Sequence, residues 1–330
     1  MRPDSVTIAD IESARERIEG IAVRTPVVES PALTRISGSR VSLKVEGLQP
    51  TGSFKVRGAA SKILSLGDDE KARGVVTAST GNHGRAVAHV GRKLDVPVIV
   101  CVSEKVPDGK IQSLRASGCK VIVGGDSQDE AMQTAEDLVN SDGMTLVHPF
   151  DDGDVIAGQG TIGLELADKM MSISHVLVPL SGGGLISGVA LALKERIPSV
   201  SVIGVSMSGG AVMAQSLQAG HPVEMAEVPT LADSLQGGIG LENRYTFRMV
   251  RELVDEVVLV SEERIWQAML WAWNSHGVVL EGGGAVGIAA MFSSMVDPGA
   301  DAVIVCSGSN VEPEHLQALG QSSPDPGEPR

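Results

Sequence analysis

Short runs of β-branched and other apolar residues alternate with helix-like segments along most of the 330-residue chain. The apolar runs occur at residues 74–78, 97–102, 120–123, 175–180, 200–205, 256–260 and 302–306. Helix-like segments separate several of them, at residues 82–94, 108–117, 129–140 and 155–171. Strands that are buried on both faces read as continuous apolar runs, and a helix between two such strands makes them parallel. The alternation therefore predicts an α/β fold built on parallel sheets.

The composition restricts the class of partner. Hydrophobic residues make up 42% of the chain, enough for a globular core, and the formal net charge of −14 disfavours nucleic acid and anionic membranes as partners. Cys101, Cys119 and Cys306 lie in or beside apolar runs without a Cys-x-x-Cys pair, which predicts buried, reduced thiols. The first residues carry no apolar signal core, and no apolar run has the length needed to span a bilayer. We therefore expect a cytoplasmic protein.

Lys55 lies at the start of a predicted helix. An apolar run at residues 41–46 is followed by turn residues at 49–52, after which apolar residues recur at helical spacing. Because a helix N-terminus disfavours a nearby cation, this position predicts a lowered pKa for Lys55. A neutral lysine amine is the species that attacks a carbonyl carbon to form a Schiff base. The alternative is an ordinary lysine on the solvent-exposed surface.

Two loops that follow predicted strands are suited to anions, since ligands of open α/β sheets bind at the carboxyl ends of the strands. The loop at residues 78–84 offers hydroxyl, amide and backbone N–H groups at a helix start, which suits a carboxylate. Ser79 or Thr80 would equally serve as an ordinary N-cap there. The loop at residues 181–188 contains three consecutive glycines, whose backbone can fold around an anion. It matches neither the dinucleotide nor the Walker pattern, so it favours a single phosphate, with a merely tight turn as the alternative.

Two further segments carry candidate residues. Glu281 begins a glycine-rich segment at residues 281–285, and Ser307 directly follows the last predicted strand. A side chain at a strand end is placed where a ligand can lie. A strand-ending turn residue is the alternative for Ser307.

Five motifs together resemble those of the fold-type II pyridoxal-phosphate enzymes, and among them the serine/threonine dehydratase and serine racemase family. They occur in the family's order between residues 6 and about 316, as Gly-Ser-Phe-Lys-Val-Arg-Gly-Ala at 52–59, Ser-Thr-Gly-Asn-His-Gly at 79–84, Val-Ile-Ala-Gly-Gln-Gly-Thr at 155–161, Ser-Gly-Gly-Gly-Leu at 181–185 and Ser-Gly-Ser-Asn at 307–310. The resemblance implies two open parallel-sheet domains, similar to tryptophan synthase β, with pyridoxal 5′-phosphate between them.

The same resemblance implies a division of the chain. A large, discontinuous cofactor-binding domain would comprise residues 1–52 and 148–316, and a small domain on the substrate side would comprise residues 53–147. Residues 317–330, which are rich in proline and polar residues, are expected to form a disordered tail. The resemblance also implies a homodimer.

Roles for individual residues follow from the resemblance. Lys55 would bond covalently to the cofactor as a Schiff base and act as the catalytic base, with Phe54 beside the pyridine ring and Ser307 at the ring nitrogen. Asn82 would bind the ring hydroxyl, and the phosphate would be held by Ser181, Gly182, Gly183, Gly184 and Leu185. The substrate carboxylate would be held by Ser79, Thr80, Gly81 and His83. Glu281, on the cofactor side, and Gly237, on the substrate side, fall in segments that line the same cavity.

The implied reaction is removal of water and ammonia from a β-hydroxy amino acid. Lys55 would take the Cα proton, the β-hydroxyl would leave after protonation by the cofactor phosphate, and hydrolysis would give a 2-oxo acid and ammonia. A hydroxyl at the ring nitrogen, instead of a carboxylate, makes the cofactor a weaker electron sink, which suits prompt β-elimination. The default substrates are L-threonine and L-serine. The segment at residues 232–241 looks most like that of hydroxyectoine-utilisation dehydratases, which suggests a hydroxyectoine-derived hydroxy amino acid.

Other functions stay open on the same scaffold. A serine-type racemase or a β-replacement enzyme is the main alternative, with Thr80 standing where racemases place a serine as the second acid/base. A non-catalytic cofactor-binding protein is disfavoured by the intact set of Lys55, Asn82 and Ser307. The racemase branch has an acidic metal site where this chain has residues 205–212, which contain no carboxylate. We therefore expect no divalent metal.

Overall fold

The computed structural model describes residues 5–170, 172–292 and 299–321. Its strands are β1 (Val27–Glu29), β2 (Arg40–Val45), β3 (Val75–Ala78), β4 (Val98–Val102), β5 (Lys120–Val123), β6 (Thr145–Leu146), β7 (His175–Pro179), β8 (Ser201–Met207), β9 (Glu256–Val260) and β10 (Asp301–Cys306). Its helices are α1 (Ile8–Arg17), α2 (Pro31–Ser37), α3 (Lys55–Ser65), α4 (Asp68–Arg73), α5 (Asn82–Leu94), α6 (Asp108–Ala116), α7 (Gln128–Asp142), α8 (Gly153–Lys169), α9 (Gly184–Arg196), α10 (Val212–Ala219), α11 (Thr246–Leu253), α12 (Glu262–His276), α13 (Gly282–Phe292) and α14 (Pro313–Gln321). Short 3₁₀ turns lie at Glu46–Leu48 and Asp233–Leu235.

The strands form two sheets. The six-stranded sheet has the order β1-β2-β10-β7-β8-β9, and the four-stranded sheet has the order β5-β4-β3-β6. Every pairing is parallel except that of β1 with β2, which is antiparallel. The prediction of an α/β fold with parallel sheets is thus confirmed.

Apolar packing covers both sheets. All residues of β10 are buried, and α13, buried along its whole length, packs against the six-stranded sheet. On the other side of the molecule α8 packs against α9, α3 and α1. Because α3 and α9 both contact it, α8 connects the helix that begins at Lys55 with the helix that follows β7.

Several details of the fold bear on the sequence predictions. Cys101, Cys119 and Cys306 are buried free thiols, as predicted, and burial raises the pKa of Cys306 to about 12. The predicted disordered tail is wrong for residues 317–321, which belong to α14, and residues 322–330 lie outside the described part of the chain. The proposed domain boundaries remain a prediction. Within the described residues no helix has both the length and the apolar character needed to cross a membrane.

Candidate active site

Lys55 begins α3 and points to the segment that follows β6. Its Nζ donates a hydrogen bond to the carbonyl oxygen of Pro149 at 2.7 Å and lies 5.3 Å from the centroid of the Phe54 ring. Burial lowers the pKa of Lys55 to about 8, and the negative charge of Glu281 limits that shift. The predicted direction is confirmed, but the cause is burial rather than the helix N-terminus.

The turn before α3 is attached to the end of β10. The backbone N–H of Phe54 donates to the carbonyl oxygen of Ser307 at 3.0 Å, and Ser53 forms an isolated bridge with Gly308. Ser307 is 3% exposed, and its hydroxyl lies 3.4 Å from the carbonyl oxygen of Gly283, long for an O–H···O hydrogen bond. The fold therefore brings Ser307 next to the start of α3 and leaves its hydroxyl weakly engaged.

Asn82 and Glu281 contact each other across the two sheets, since Asn82 follows β3 and Glu281 precedes α13. Asn82 Nδ2 donates to Glu281 Oε1 at 2.7 Å, and the backbone N–H of Asn310 donates to Glu281 Oε2 at 3.2 Å. Burial, helped by the nearby negative charge of Asp233, raises the pKa of Glu281 to about 7. The Glu281 carboxyl group therefore changes its charge near neutral pH.

The loop between β3 and α5 presents backbone groups more than side chains. The N-cap of α5 is Gly81, without a side-chain cap, so the alternative that Ser79 or Thr80 caps this helix is wrong. The Ser79 hydroxyl instead accepts from the N–H of Gly81 at 3.4 Å, and Thr80 and Gly81 are partly or fully exposed. The first N–H groups of a helix have no acceptor within it, which keeps this loop suitable for a carboxylate.

The side chain of His83 faces the interior of the small sheet. It is 2% exposed, and its Nε2 donates to the carbonyl oxygen of Val147 at 2.9 Å. Burial, together with the positive charge of Lys55, lowers the pKa of His83 to about 3. The imidazole is therefore neutral at physiological pH, and its attraction for a carboxylate is not that of a cation. A role for His83 in holding the substrate stays a prediction and rests on its backbone N–H.

The glycine-rich loop after β7 leads directly into α9. Gly183, the N-cap, has φ of 88°, a left-handed conformation that favours glycine. Residues 182–185 are buried, Ser181 is half-buried, and the Phe150 ring packs so closely that a Cβ on residue 182 would lie 2.4 Å from it. Since Phe150 follows the Pro149 that accepts from Lys55, the loop and Lys55 contact the same segment. The unpaired N–H groups and the dipole of α9 suit a phosphate.

Gly237 is the predicted site residue that the structure places farthest from this cluster in contacts. It lines a small cavity with Met207 and Gly209 at the end of β8, and within the described part of the chain no hydrogen bond joins it to Lys55 or Asn82. Its segment reaches the cluster through Ser234, whose side chain hydrogen-bonds Glu281. A role for Gly237 in substrate binding stays a prediction.

A buried ionic network behind Lys55 was not expected from the sequence. Arg57, 1% exposed, donates to both Glu46 oxygens at 2.8 Å and to Glu165 Oε1 at 2.6 Å, and Lys44 Nζ donates to Glu165 Oε2 at 2.5 Å. Burial acts to raise the pKa of Glu46, but the Arg57 guanidinium outweighs it and keeps the pKa below its ordinary value. The network ties α3 to β2 and α8. Its members lie too far apart in sequence for any local pattern to reveal them.

Metal-binding side chains are a separate question. Across the described ranges, no group of three or more His, Cys, Asp and Glu side chains is arranged to hold a metal ion. The prediction that catalysis needs no divalent metal rests on the sequence of residues 205–212 and on chemistry, and it stays a prediction.

Comparison with known proteins agrees with this arrangement. A family model described as pyridoxal-phosphate dependent enzyme matches residues 18–308. The chain is 46% identical over 309 residues to a protein of Sinorhizobium fredii named "Putative threonine dehydratase", covering 93% of each. It is 40% identical over 307 residues to the L-threonine ammonia-lyase of Thermotoga maritima, covering 93% of this chain and 76% of that protein.

Solved structures give the same picture. Maize serine racemase superposes with a TM-score of 0.89 at 33% identity, covering 96% of this chain and 97% of that one. The serine racemase of Dictyostelium discoideum superposes with a TM-score of 0.85 at 34% identity, covering 93% of this chain and 99% of that one. A bacterial threonine deaminase, from T.th., has the same TM-score of 0.85 at 36% identity, with the same coverage of 93% and 99%.

Proposed function

The chain belongs to the family of pyridoxal-phosphate-dependent enzymes, and from this premise we propose that it eliminates water from a β-hydroxy amino acid to give a 2-oxo acid and ammonia. Its cofactor is pyridoxal 5′-phosphate and its class is that of a lyase. One observation carries the specific proposal. A lysine amine with a pKa of about 8 lies between the Pro149 carbonyl and a turn joined to Ser307.

The residues present fit this cofactor. Lys55 supplies a reactive amine for its aldehyde, the first turn of α9 supplies N–H groups for its phosphate, and the weakly engaged Ser307 hydroxyl supplies a neutral partner for its ring nitrogen. When bound, the cofactor withdraws electrons from the substrate Cα and so acidifies the proton there.

Lys55 is the group proposed to move that proton. An amine whose pKa lies near the working pH is a good general base and, after protonation, a good acid. The carbonyl oxygen of Pro149 can hold the Nζ atom once it is free, because a carbonyl oxygen accepts from both the amine and the ammonium.

Ser307 is proposed to bias the reaction towards elimination. A hydroxyl offers the ring nitrogen a hydrogen bond without a negative charge, whereas a carboxylate would hold a proton on it. Weaker electron withdrawal favours substrates whose β-hydroxyl leaves promptly. This reasoning supports a β-hydroxy amino acid over substrates that lack a leaving group.

The substrate carboxylate is proposed to bind at the start of α5, where Ser79, Thr80 and Gly81 form an open loop. L-Threonine and L-serine are the first substrates to test, in keeping with the names of the relatives. A hydroxyectoine-derived hydroxy amino acid is a third candidate, supported only by the sequence of residues 232–241.

Amino-acid racemisation is the second candidate function. Thr80 is half-buried in the open loop and its hydroxyl could return a proton to the opposite face of the substrate, and serine racemases are among the similar structures. The extra methyl group of threonine, compared with serine, narrows the space for such a transfer.

The test is an assay that follows both outcomes at once. The holoenzyme is incubated with L-threonine, L-serine and other β-hydroxy amino acids, and 2-oxo acid and the opposite enantiomer are both quantified. We expect oxo acid to form faster than enantiomer with at least one substrate. Faster formation of enantiomer with every substrate would favour the racemase, and absence of both products would contradict the proposal.

A further inference from the structure

The side chain of Asn310 contacts three parts of the site at once. Its Nδ2 donates to the carbonyl oxygen of Thr51 at 2.9 Å and to Asn82 Oδ1 at 2.6 Å, while its backbone N–H donates to Glu281 Oε2. Thr51 lies in the turn before Lys55, Asn82 begins α5, and Glu281 precedes α13. Asn310 therefore connects the turn that carries Lys55 with the loop that carries Asn82.

These contacts fix the orientation of two amide groups. A backbone carbonyl oxygen only accepts, so the Asn310 atom that faces Thr51 must be the NH₂ group. That NH₂ group then donates its second hydrogen to Asn82, so the Asn82 atom facing it must be the oxygen. The NH₂ group of Asn82 consequently faces Glu281 and gives it one hydrogen. One N–H of Asn82 is left for a further acceptor.

The backbone near Asn310 is shaped to allow this contact. Gly52 has φ of 74°, and a Cβ at that position would lie 2.5 Å from Asn310 Oδ1. A side chain at residue 52 would therefore push the Asn310 amide away from the Thr51 carbonyl.

We propose that Asn310 is a positioning residue that holds the Asn82 amide so that its remaining N–H is directed to the ring oxygen of the cofactor. The inference rests on the role proposed above for Asn82. Asn310 acts through Asn82 and has no contact of its own with the reacting atoms. Because the orientation is set from the Thr51 carbonyl, it does not depend on whether Glu281 is charged.

The test compares Asn310→Asp, Asn310→Ala and Asn82→Ala with the double variants that combine Asn82→Ala with each change at residue 310. Asp has the size of Asn but places an acceptor opposite both the Thr51 and the Asn82 oxygens. Two quantities are measured on folded protein, namely the dissociation constant of pyridoxal phosphate from the apoenzyme and the absorption spectrum of the bound cofactor. Melting temperatures identify any variant that has lost its fold, and Asn310→Ala, which merely frees the Asn82 amide, serves if Asn310→Asp does not fold.

We expect each single variant at Asn310 to weaken cofactor binding about fivefold, the effect of losing one neutral hydrogen bond. The long-wavelength band should also lose intensity, because the ionised ring oxygen loses a donor. Each double variant should bind no more weakly than Asn82→Ala alone, since both changes remove the same interaction.

Ser309→Ala is the matched control. Ser309 lies in the same loop and its hydroxyl donates to the Gly47 carbonyl at 3.1 Å, but it has no hydrogen bond to Asn82. Its spectrum should match that of the unmodified enzyme. Unchanged binding and spectrum in the Asn310 variants, or effects that add to those of Asn82→Ala, would overturn the inference. If Asn82→Ala itself changes neither quantity, the role of Asn82 is wrong and the inference fails with it, whereas oxo-acid release tests the lyase function independently.

Discussion

At the scale of single residues, burial sets the charge of the groups at this site. Lys55 and His83 both lose affinity for a proton because water is excluded around them, whereas the buried Glu281 gains affinity for one. The result is an amine and a carboxyl group that both titrate near neutral pH, beside an imidazole that stays neutral. Such an arrangement suits a site that must move protons at physiological pH.

The lowered pKa of Lys55 predicts how the apoenzyme captures its cofactor. At pH 7 an amine with a pKa of about 8 is neutral in about one molecule in ten, against about one in 2,500 for an ordinary lysine with a pKa of about 10.4. The rate of covalent capture of pyridoxal phosphate should therefore rise up to about pH 8 and then level off. Stopped-flow absorbance of the apoenzyme measures it, with Lys55→Arg as the background. A rate that keeps rising to pH 10 would contradict the assigned pKa.

Substitutions at Ser307 separate charge from size at the ring nitrogen. Ser307→Asp should slow oxo-acid release and raise the share of racemised or transaminated product, because a carboxylate keeps the nitrogen protonated. Ser307→Asn, of similar size but uncharged, is the control and should not raise that share. Ser307→Ala should slow elimination because the nitrogen loses its partner. Product ratios by chiral chromatography decide, and unchanged ratios and rates in the Asp and Ala variants would place Ser307 away from the ring.

At the scale of secondary-structure elements, the position of α3 depends on charges behind it. Arg57 lies two residues after Lys55 and joins α3 to Glu46, at the end of β2, and to Glu165 in α8. A bidentate guanidinium in a buried site fixes both distance and orientation. Lys55 is therefore carried by a helix whose first turn is held from two sides.

Removing the Arg57 guanidinium should be costly. Arg57→Ala leaves Glu46 and Glu165 with fewer buried partners and should lower the free energy of unfolding by about 3 to 5 kcal/mol. The control is Arg15→Ala, because Arg15 pairs with Asp168 while both side chains remain 44% and 46% exposed. That change should cost less than about 1 kcal/mol. Urea denaturation of both variants measures the difference, and similar losses would show that the network adds no special stability.

Elements with a strong local pattern were predictable from the sequence, and those without one were not. The predicted helix at residues 82–94 and the strand at residues 256–260 match α5 and β9 residue for residue. By contrast, β1 and β6 contain only three and two residues, too few for a periodic pattern, and they are strands because a neighbour pairs with them.

The same limit applies to the site. The sequence located the turn with Lys55, the loop with Asn82 and the strand end with Ser307, because glycine and polar residues interrupt apolar runs there. It did not reveal Arg57 or Asn310, whose partners lie 108 and 228 residues away in the chain. It also assigned the lowered pKa of Lys55 to a helix end, since burial can be judged only from the folded chain.

At the scale of the whole molecule, the site is assembled where the two sheets meet. Asn82 follows a strand of the four-stranded sheet, whereas Ser307 and Asn310 follow a strand of the six-stranded sheet. Lys55 lies between them, on the helix that packs against α8. The contacts of Asn310 with Asn82 and Thr51 therefore hold together parts of the chain that belong to different cores.

Chelation tests whether any divalent metal serves this assembly. Residues 205–212 offer only hydroxyl and backbone oxygens, and neutral oxygens rarely compensate a dication for its lost hydration. EDTA should leave the rate of oxo-acid release unchanged, and added magnesium should not raise it. A several-fold loss on chelation that magnesium restores would contradict this prediction, with Asp233, beside Glu281, as the first ligand to substitute.

The most direct measurement of the central claim is to trap the covalent link between the protein and its cofactor. The holoenzyme is reduced with borohydride, digested, and mapped by mass spectrometry, with Lys55→Ala as the control. The account predicts that the cofactor mass is found on Lys55, and that the Lys55→Ala protein is not labelled and releases no oxo acid. Labelling of a different lysine in the unmodified enzyme would contradict it.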